Sequence, residues 1–166
     1  EKGIEEFIKA SMILSKKFLN WKFVILGTLD HFKTSALSIN FELLKKNYKN
    51  ILFLGYKKKV HNYFNKSLIV CLPSYREGFS KTLIEATASG CAIVTSNVPG
   101  CRDVIINNKT GLLCDKGDYI SLVRKLEKLM LNKNQIYFFA KNAKKYAKQN
   151  YDLNIFIHKN LKLYEK

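Results

Sequence analysis

The sequence predicts an α/β fold, a doubly wound parallel sheet with helices on both faces. Three observations carry this. Short apolar runs alternate with helical patterns along the chain, as expected of strands buried on both faces. The runs at 22–27 (KFVILG), 51–55 (ILFLG), 68–72, 92–95 and 110–114 are each bounded by Gly, Pro or polar residues. Between successive runs lies chain for a crossover, usually a helix, which parallel strands need and a hairpin does not.

The elements follow in order. Ile4, Phe7, Ile8, Met12 and Leu14 recur at helical spacing, so residues 3–17 read as an amphipathic helix. The strand at 22–27 leads into a polar loop at 28–37 and a helix ending near residue 47. The strand at 51–55 is followed by Tyr56 and a turn at Lys57-Lys58-Lys59, then a short helix at 60–67. After the strands at 68–72 and 92–95 come a short helix at 100–106 and the strand at 110–114. Helices at 119–131, 135–150 and 155–164 complete the chain. One element is lacking. A doubly wound half begins with a strand that is central in the order 3-2-1-4-5-6. Here that strand is expected upstream of Glu1, or the sheet is built differently.

Composition narrows the class. A length of 166 residues fits one domain, and 47% hydrophobic with 25% charged residues describes an ordinary globule. No apolar run reaches the ~18 residues of a membrane span, and no signal-peptide pattern is present. The chain opens at Glu1 without Met and reads as part of a longer polypeptide. The net charge of +16 would attract lipid headgroups, phosphorylated substrates or nucleic acid, but Lys, Asn and Ile are abundant throughout, so it reads first as compositional bias with a modest membrane-surface benefit. The lysines are scattered, however, whereas a nucleic-acid module shows a clustered basic face, so nucleic acid is not the expected partner. Cys71, Cys91, Cys101 and Cys114 lie at or near strand ends without C-x-x-C spacing. They read as buried thiols rather than metal ligands. His31, His61 and His158 stand apart from any motif.

The chemistry concentrates in Leu72 to Val98, LPSYREGFSKTLIEATASGCAIVTSNV. Pro73 ends a strand, because it cannot donate to a ladder. The loop from Ser74 to Phe79 then leads into a helix from about Ser80 to Ser89, and Gly90 closes it before the next strand. This βαβ unit puts the loop at the carboxyl edge of a parallel sheet, where ligands of open α/β sheets bind. The helix start offers unpaired N–H groups to a diphosphate, Gly78 permits close backbone approach, and a carboxylate at Glu77 or Glu85 can accept from a sugar diol. The plainer alternative is that Lys81 and Glu85 form an exposed i,i+4 pair and Glu77 is solvated.

The combination PSYREGFSKTLIEA, a Gly-bounded strand and NVPGCRDVI resembles the second half of family-4 glycosyltransferases. These have the GT-B fold, and the resemblance is greatest to bacterial enzymes that extend lipid-linked surface glycans. It covers nearly the whole chain and implies a Rossmann-like, C-terminal, nucleotide-sugar-binding domain over residues 1–166. The acceptor-binding N-terminal domain would then lie outside this chain. By resemblance, Lys2 of the Lys2-Gly3 pair contacts the donor diphosphate and Glu77 lies against the donor sugar. The amides of Gly78, Phe79, Ser80, Lys81 and Thr82 would cradle sugar and phosphate, Glu85 would hold the ribose, and Tyr56 would line the base pocket.

The implied reaction moves a sugar, with retention, from a nucleotide-sugar (a UDP-sugar) to a glycan or polyprenyl-linked acceptor. Charge on the leaving diphosphate would be met by Lys2, an Arg upstream of Glu1 and the helix N-terminus, with no metal or other cofactor. The absence of Asp-x-Asp agrees with that design. The site would be cytoplasmic. Lys141, Lys144, Lys145 and Lys148 give the 135–150 helix a Lys face, which reads first as a solvated face and, in a sharper alternative, as peripheral contact with an anionic inner membrane. Pro99-Gly100 stands where many members have two glycines, and Asp103 where Glu is usual. A different class remains open, in which the chain is a non-catalytic nucleotide-sugar-binding subunit of a two-chain transferase.

Overall fold

The computed structural model of the protein describes residues 1–27 and 41–151. The loop expected at 28–37, the start of the helix after it and the helix at 155–164 fall outside those residues. Within them the order is α1 (Ile4–Lys17), β1 (Phe23–Ile25), α2 (Phe41–Asn47), β2 (Ile51–Phe53), α3 (His61–Phe64), β3 (Ile69–Leu72) and α4 (Lys81–Ala88). The chain continues through β4 (Ala92–Ser96), β5 (Gly111–Cys114), α5 (Tyr119–Leu131) and α6 (Lys133–Asn150).

Every strand pair is parallel. β1 pairs with β2, and β3, β4 and β5 form a second group with β4 in the middle. Among the described residues no ladder joins the two groups. The break separates β1 from β3, the two strands that flank the first strand in a 3-2-1-4-5-6 order.

Period-two alternation divides the β3–β4–β5 sheet between two cores. Ala92 and Val94 face the same apolar cluster as Leu112, Cys114, Ile69 and Cys71, which α1, α5 and α6 cover with Ile8, Leu14, Leu122, Leu129, Ile136 and Phe139. Ile93, Val70, Leu72 and Leu113 face the other cluster, closed by Leu83 and Ala86 of α4 with Phe64, Val98 and Val104. All five residues of β4 are buried, because it is flanked by strands and covered on both faces. This is why Ala92, Ile93 and Val94 are apolar without alternation, while the strand ends on the buried polar residues Thr95 and Ser96.

Several boundaries differ from expectation. β1, β2, β3 and β5 are shorter than expected and β4 runs one residue further, to Ser96, and the helix expected at 100–106 is a single 3₁₀ turn, Arg102–Val104. Gly100 has φ 76°, a conformation no α-helix contains, and the Asp103 carboxylate accepts from its N–H at 2.9 Å. α6 starts two residues earlier than expected, because the Asn132 side chain caps the Gln135 N–H at 3.0 Å.

Candidate functional site

The carboxyl edge of β3 is built by close contact between two distant stretches. Gly3 precedes α1 with φ 67°, and a Cβ there would lie 1.9 Å from the Pro73 carbonyl oxygen. Only glycine permits both the left-handed backbone and that approach. Two further contacts fasten the chain start to the loop after β3. The Tyr75 N–H donates to the Glu1 carbonyl at 2.9 Å. The Tyr75 hydroxyl donates to the Glu6 carboxylate of α1, and this bond, aided by burial, pushes the phenol up to about 12.

This contact delivers Lys2 to Glu77. The Lys2 ammonium lies 2.6 Å from Glu77 Oε1, which also accepts from the Ser74 hydroxyl at 3.0 Å. The Glu77 side chain is only 11% exposed and Lys2 is 65% exposed, so a fixed carboxylate meets a cation that can swing.

A third stretch closes the far side. A Cβ on Gly100 would sit 2.2 Å from the Gly78 carbonyl oxygen and 2.5 Å from that of Glu77. The Ser80 N–H donates to the Gly100 carbonyl at 3.3 Å. Ser80 is also the N-cap of α4, its hydroxyl accepting from the Leu83 N–H at 3.4 Å. The amides of Gly78, Phe79, Lys81 and Thr82 have no hydrogen-bond partner among the described residues, so the positive end of the α4 dipole opens to solvent beside the Lys2–Glu77 pair. Phe79 is exposed and meets the Tyr151 ring edge-on at 6.0 Å.

The other expected residues are placed as follows. Glu85 lies on α4 with its side chain 43% exposed, 3.7 Å from the Lys81 ammonium, so the exposed helix pair is formed. Tyr56 is exposed at the carboxyl end of β2, in the other strand group. Arg76 is exposed, and the Arg102 guanidinium lies 4.0 Å from the carboxylate of its neighbour Asp103. The four cysteines are free, and burial pushes each thiol up from its usual range. Among the described residues no group of three or more His, Cys, Asp or Glu side chains could hold a metal ion.

Sequence reasoning did not find Glu6, Ser74 or the Gly100–Gly78 contact. Ser74 and Gly100 stand beside the motif and were within reach of it. Glu6 gave no signal, because an acidic residue in a first helical turn is ordinary. Tyr75→Phe is expected to leave the nearly buried Glu6 unpartnered. The cost should be about 1–3 kcal/mol, read as a lower urea midpoint, whereas an unchanged midpoint would show that Glu6 finds water instead.

Comparison with known proteins decides the family. The profile of the family described as glycosyl transferases group 1 matches residues 1–150. The chain belongs to that family. This glycosyl transferase domain is 36% identical to an N,N'-diacetylbacillosaminyl-diphospho-undecaprenol alpha-1,3-N-acetylgalactosaminyltransferase of Campylobacter jejuni, covering 99% of this chain and 42% of that protein. It is 28% identical to the capsular polysaccharide biosynthesis glycosyltransferase CapM of Staphylococcus aureus, over 93% of this chain and 40% of the relative. The domain therefore spans less than half the length of these relatives. Among solved structures, the C-terminal domain of LpcC from Francisella tularensis superposes with a TM-score of 0.79 at 24% identity, over 92% of this chain and 80% of that one. Anabaena Alr3699/HepE, solved in complex with UDP and glucose, superposes with a TM-score of 0.84 at 18% identity, covering 99% of this chain and 45% of that one. The fold is that of the C-terminal half of a GT-B glycosyltransferase, as the motif implied.

Proposed function

We propose that this domain binds the nucleotide-sugar donor, a UDP-sugar, of a glycosyltransferase that extends a lipid-linked or capsular glycan. The observation that carries the reading is the convergence of Lys2, Glu77 and the open N-terminus of α4 at one point on the carboxyl edge. A diphosphate there would accept from the free amides of Lys81 and Thr82 and draw the exposed Lys2 ammonium away from Glu77. Glu77, released from that pair but still held by Ser74, would face the donor sugar. Glu85, one turn further along α4, would accept from the ribose hydroxyls in place of Lys81.

In this reading the transfer proceeds with retention at the anomeric carbon. The domain stabilises the charge that develops on the leaving diphosphate through a cation and backbone dipoles, without a metal. The acceptor, a glycan or polyprenyl-linked glycan, would be held mainly by an N-terminal domain beyond this chain. The undecaprenol-linked acceptor in the name of the Campylobacter relative supports this choice of acceptor, and the UDP complexed with the Anabaena protein supports that of donor. The domain by itself would bind donor and not turn it over.

Calorimetric titration with UDP tests the donor site. Binding should be saturable, and Glu85→Ala should weaken it by about 1.5–3 kcal/mol, the value of a hydrogen bond to a charged group. Unchanged affinity would remove the ribose role and leave Glu85 only its exposed pair with Lys81.

A further inference from the structure

The loop that leads into α4 does not fix its own conformation. Gly78 has no side chain, and even a Cβ there would meet nothing within 4 Å. The direction of the amides around it is therefore set by what grips its neighbours. Before it, Glu77 is gripped by Ser74 and Lys2. After it, Phe79 stands next to the N-cap Ser80 with a ring that is 58% exposed. Burial alone does not hold so open a ring.

Phe79 leans on Tyr151, the residue that closes α6 by donating its N–H to the Ala147 carbonyl at 2.8 Å. The two rings meet edge-on at 6.0 Å with 73° between their planes, and Tyr146 of α6 braces Tyr151 in the same way at 5.6 Å and 88°. Both are attractive edge-to-face arrangements. The Tyr151 hydroxyl donates to the Asp103 and Val104 carbonyl oxygens at 3.4 and 3.3 Å. One proton shared between two acceptors accounts for the length of these bonds. Burial, with the Tyr146 hydroxyl beside it, pushes the Tyr151 phenol up, so that proton is retained at neutral pH.

Asp103 and Val104 form part of the turn that locks Gly100. The Asp103 carboxylate accepts from the Gly100 N–H, and the Gly100 carbonyl accepts from the Ser80 N–H. Gly100 itself abuts the carbonyls of Glu77 and Gly78. Tyr151 thus reaches the loop twice, directly through Phe79 and indirectly through the turn that backs residues 77–80.

We propose that Tyr151 is a positioning residue for the donor, holding the loop so that the first amides of α4 are aimed at the diphosphate before it arrives. The proposal rests on the nucleotide reading above and concerns affinity, because a loop ordered in advance spares that cost at binding.

The test is calorimetric titration of the full chain with UDP. Tyr151→Leu keeps an apolar side chain but removes the ring edge and the hydroxyl, and affinity should fall about fivefold. Tyr151→Phe keeps the ring against Phe79 and should lose only about twofold. Phe79→Leu leaves the backbone amide in place, and it too should weaken binding about fivefold. Phe79 is exposed, so this variant tests the contact without disturbing the core. Both leucine variants break one contact, so the double variant should bind about as well as either, not ~25-fold more weakly. In the unliganded protein, Tyr151→Leu should speed hydrogen exchange at the Ser80 and Gly100 amides and leave the amides of β4 as protected as in the parent. Parental affinity in either leucine variant, multiplied effects in the double variant, or parental exchange at Ser80 and Gly100 would overturn the proposal. A parent that does not bind UDP would overturn the nucleotide reading and this proposal together, whereas a parent that binds and a Tyr151→Leu variant that matches it would overturn the role of Tyr151 alone.

Discussion

Gly3→Ala is expected to unfasten the start of α1 from the loop after β3. The new methyl would lie 1.9 Å from the Pro73 carbonyl oxygen, and the backbone would have to hold an alanine at φ 67°. The left-handed conformation costs about 1–2 kcal/mol and overpacking against fixed backbone about 1–3 kcal/mol, so a loss of about 2–5 kcal/mol is expected. Relief would come only by moving Glu1 to Gly3 away from β3, which carries Lys2 off Glu77. Urea denaturation should therefore show a lower midpoint, and donor binding should weaken in parallel. Gly78→Ala is the control. A Cβ there meets nothing within 4 Å and the backbone is not left-handed, so stability should hardly change. A parental midpoint for Gly3→Ala would mean that the contact with Pro73 does not hold this edge together.

Glu77→Gln is expected to act on turnover instead. In a polypeptide that also carries the acceptor domain, kcat should fall by about a hundredfold, or ~2.7 kcal/mol of barrier. The replacement keeps the size of the side chain and an oxygen to accept from Ser74, but removes the charge that pairs with Lys2. Donor affinity, measured directly by titration, should stay within about threefold, because the diphosphate and ribose contacts lie elsewhere. Comparable turnover for the two forms would place Glu77 away from the reacting sugar.

The sequence by itself determined the layered fold. Alternating apolar runs and helical periods fix which faces must be buried, and burial of apolar area is the dominant favourable term in folding. β4 illustrates this, since its unbroken apolar triplet Ala92-Ile93-Val94, between Gly90 and Pro99, suits a short strand covered on both sides. The central loop and helix were legible for a local reason. Pro73 stops a strand, Ser80 caps a helix and Gly90 ends it, each through its own backbone chemistry. Motif resemblance extended this to the family.

Only the tertiary structure decided which distant residues meet. Lys2 and Glu77 are 75 positions apart and Tyr75 and Glu6 are 69 apart, and no local propensity encodes such pairs. They depend on two glycines, Gly3 and Gly100, whose missing side chains let backbone approach backbone. A missing atom leaves no pattern in hydropathy or charge. The lysine face of α6 was visible as periodicity, but that Leu131, Tyr137 and Phe138 stay open to solvent was not. Whether an apolar side chain is open to solvent depends on what packs over it, and the packing is set by the whole fold.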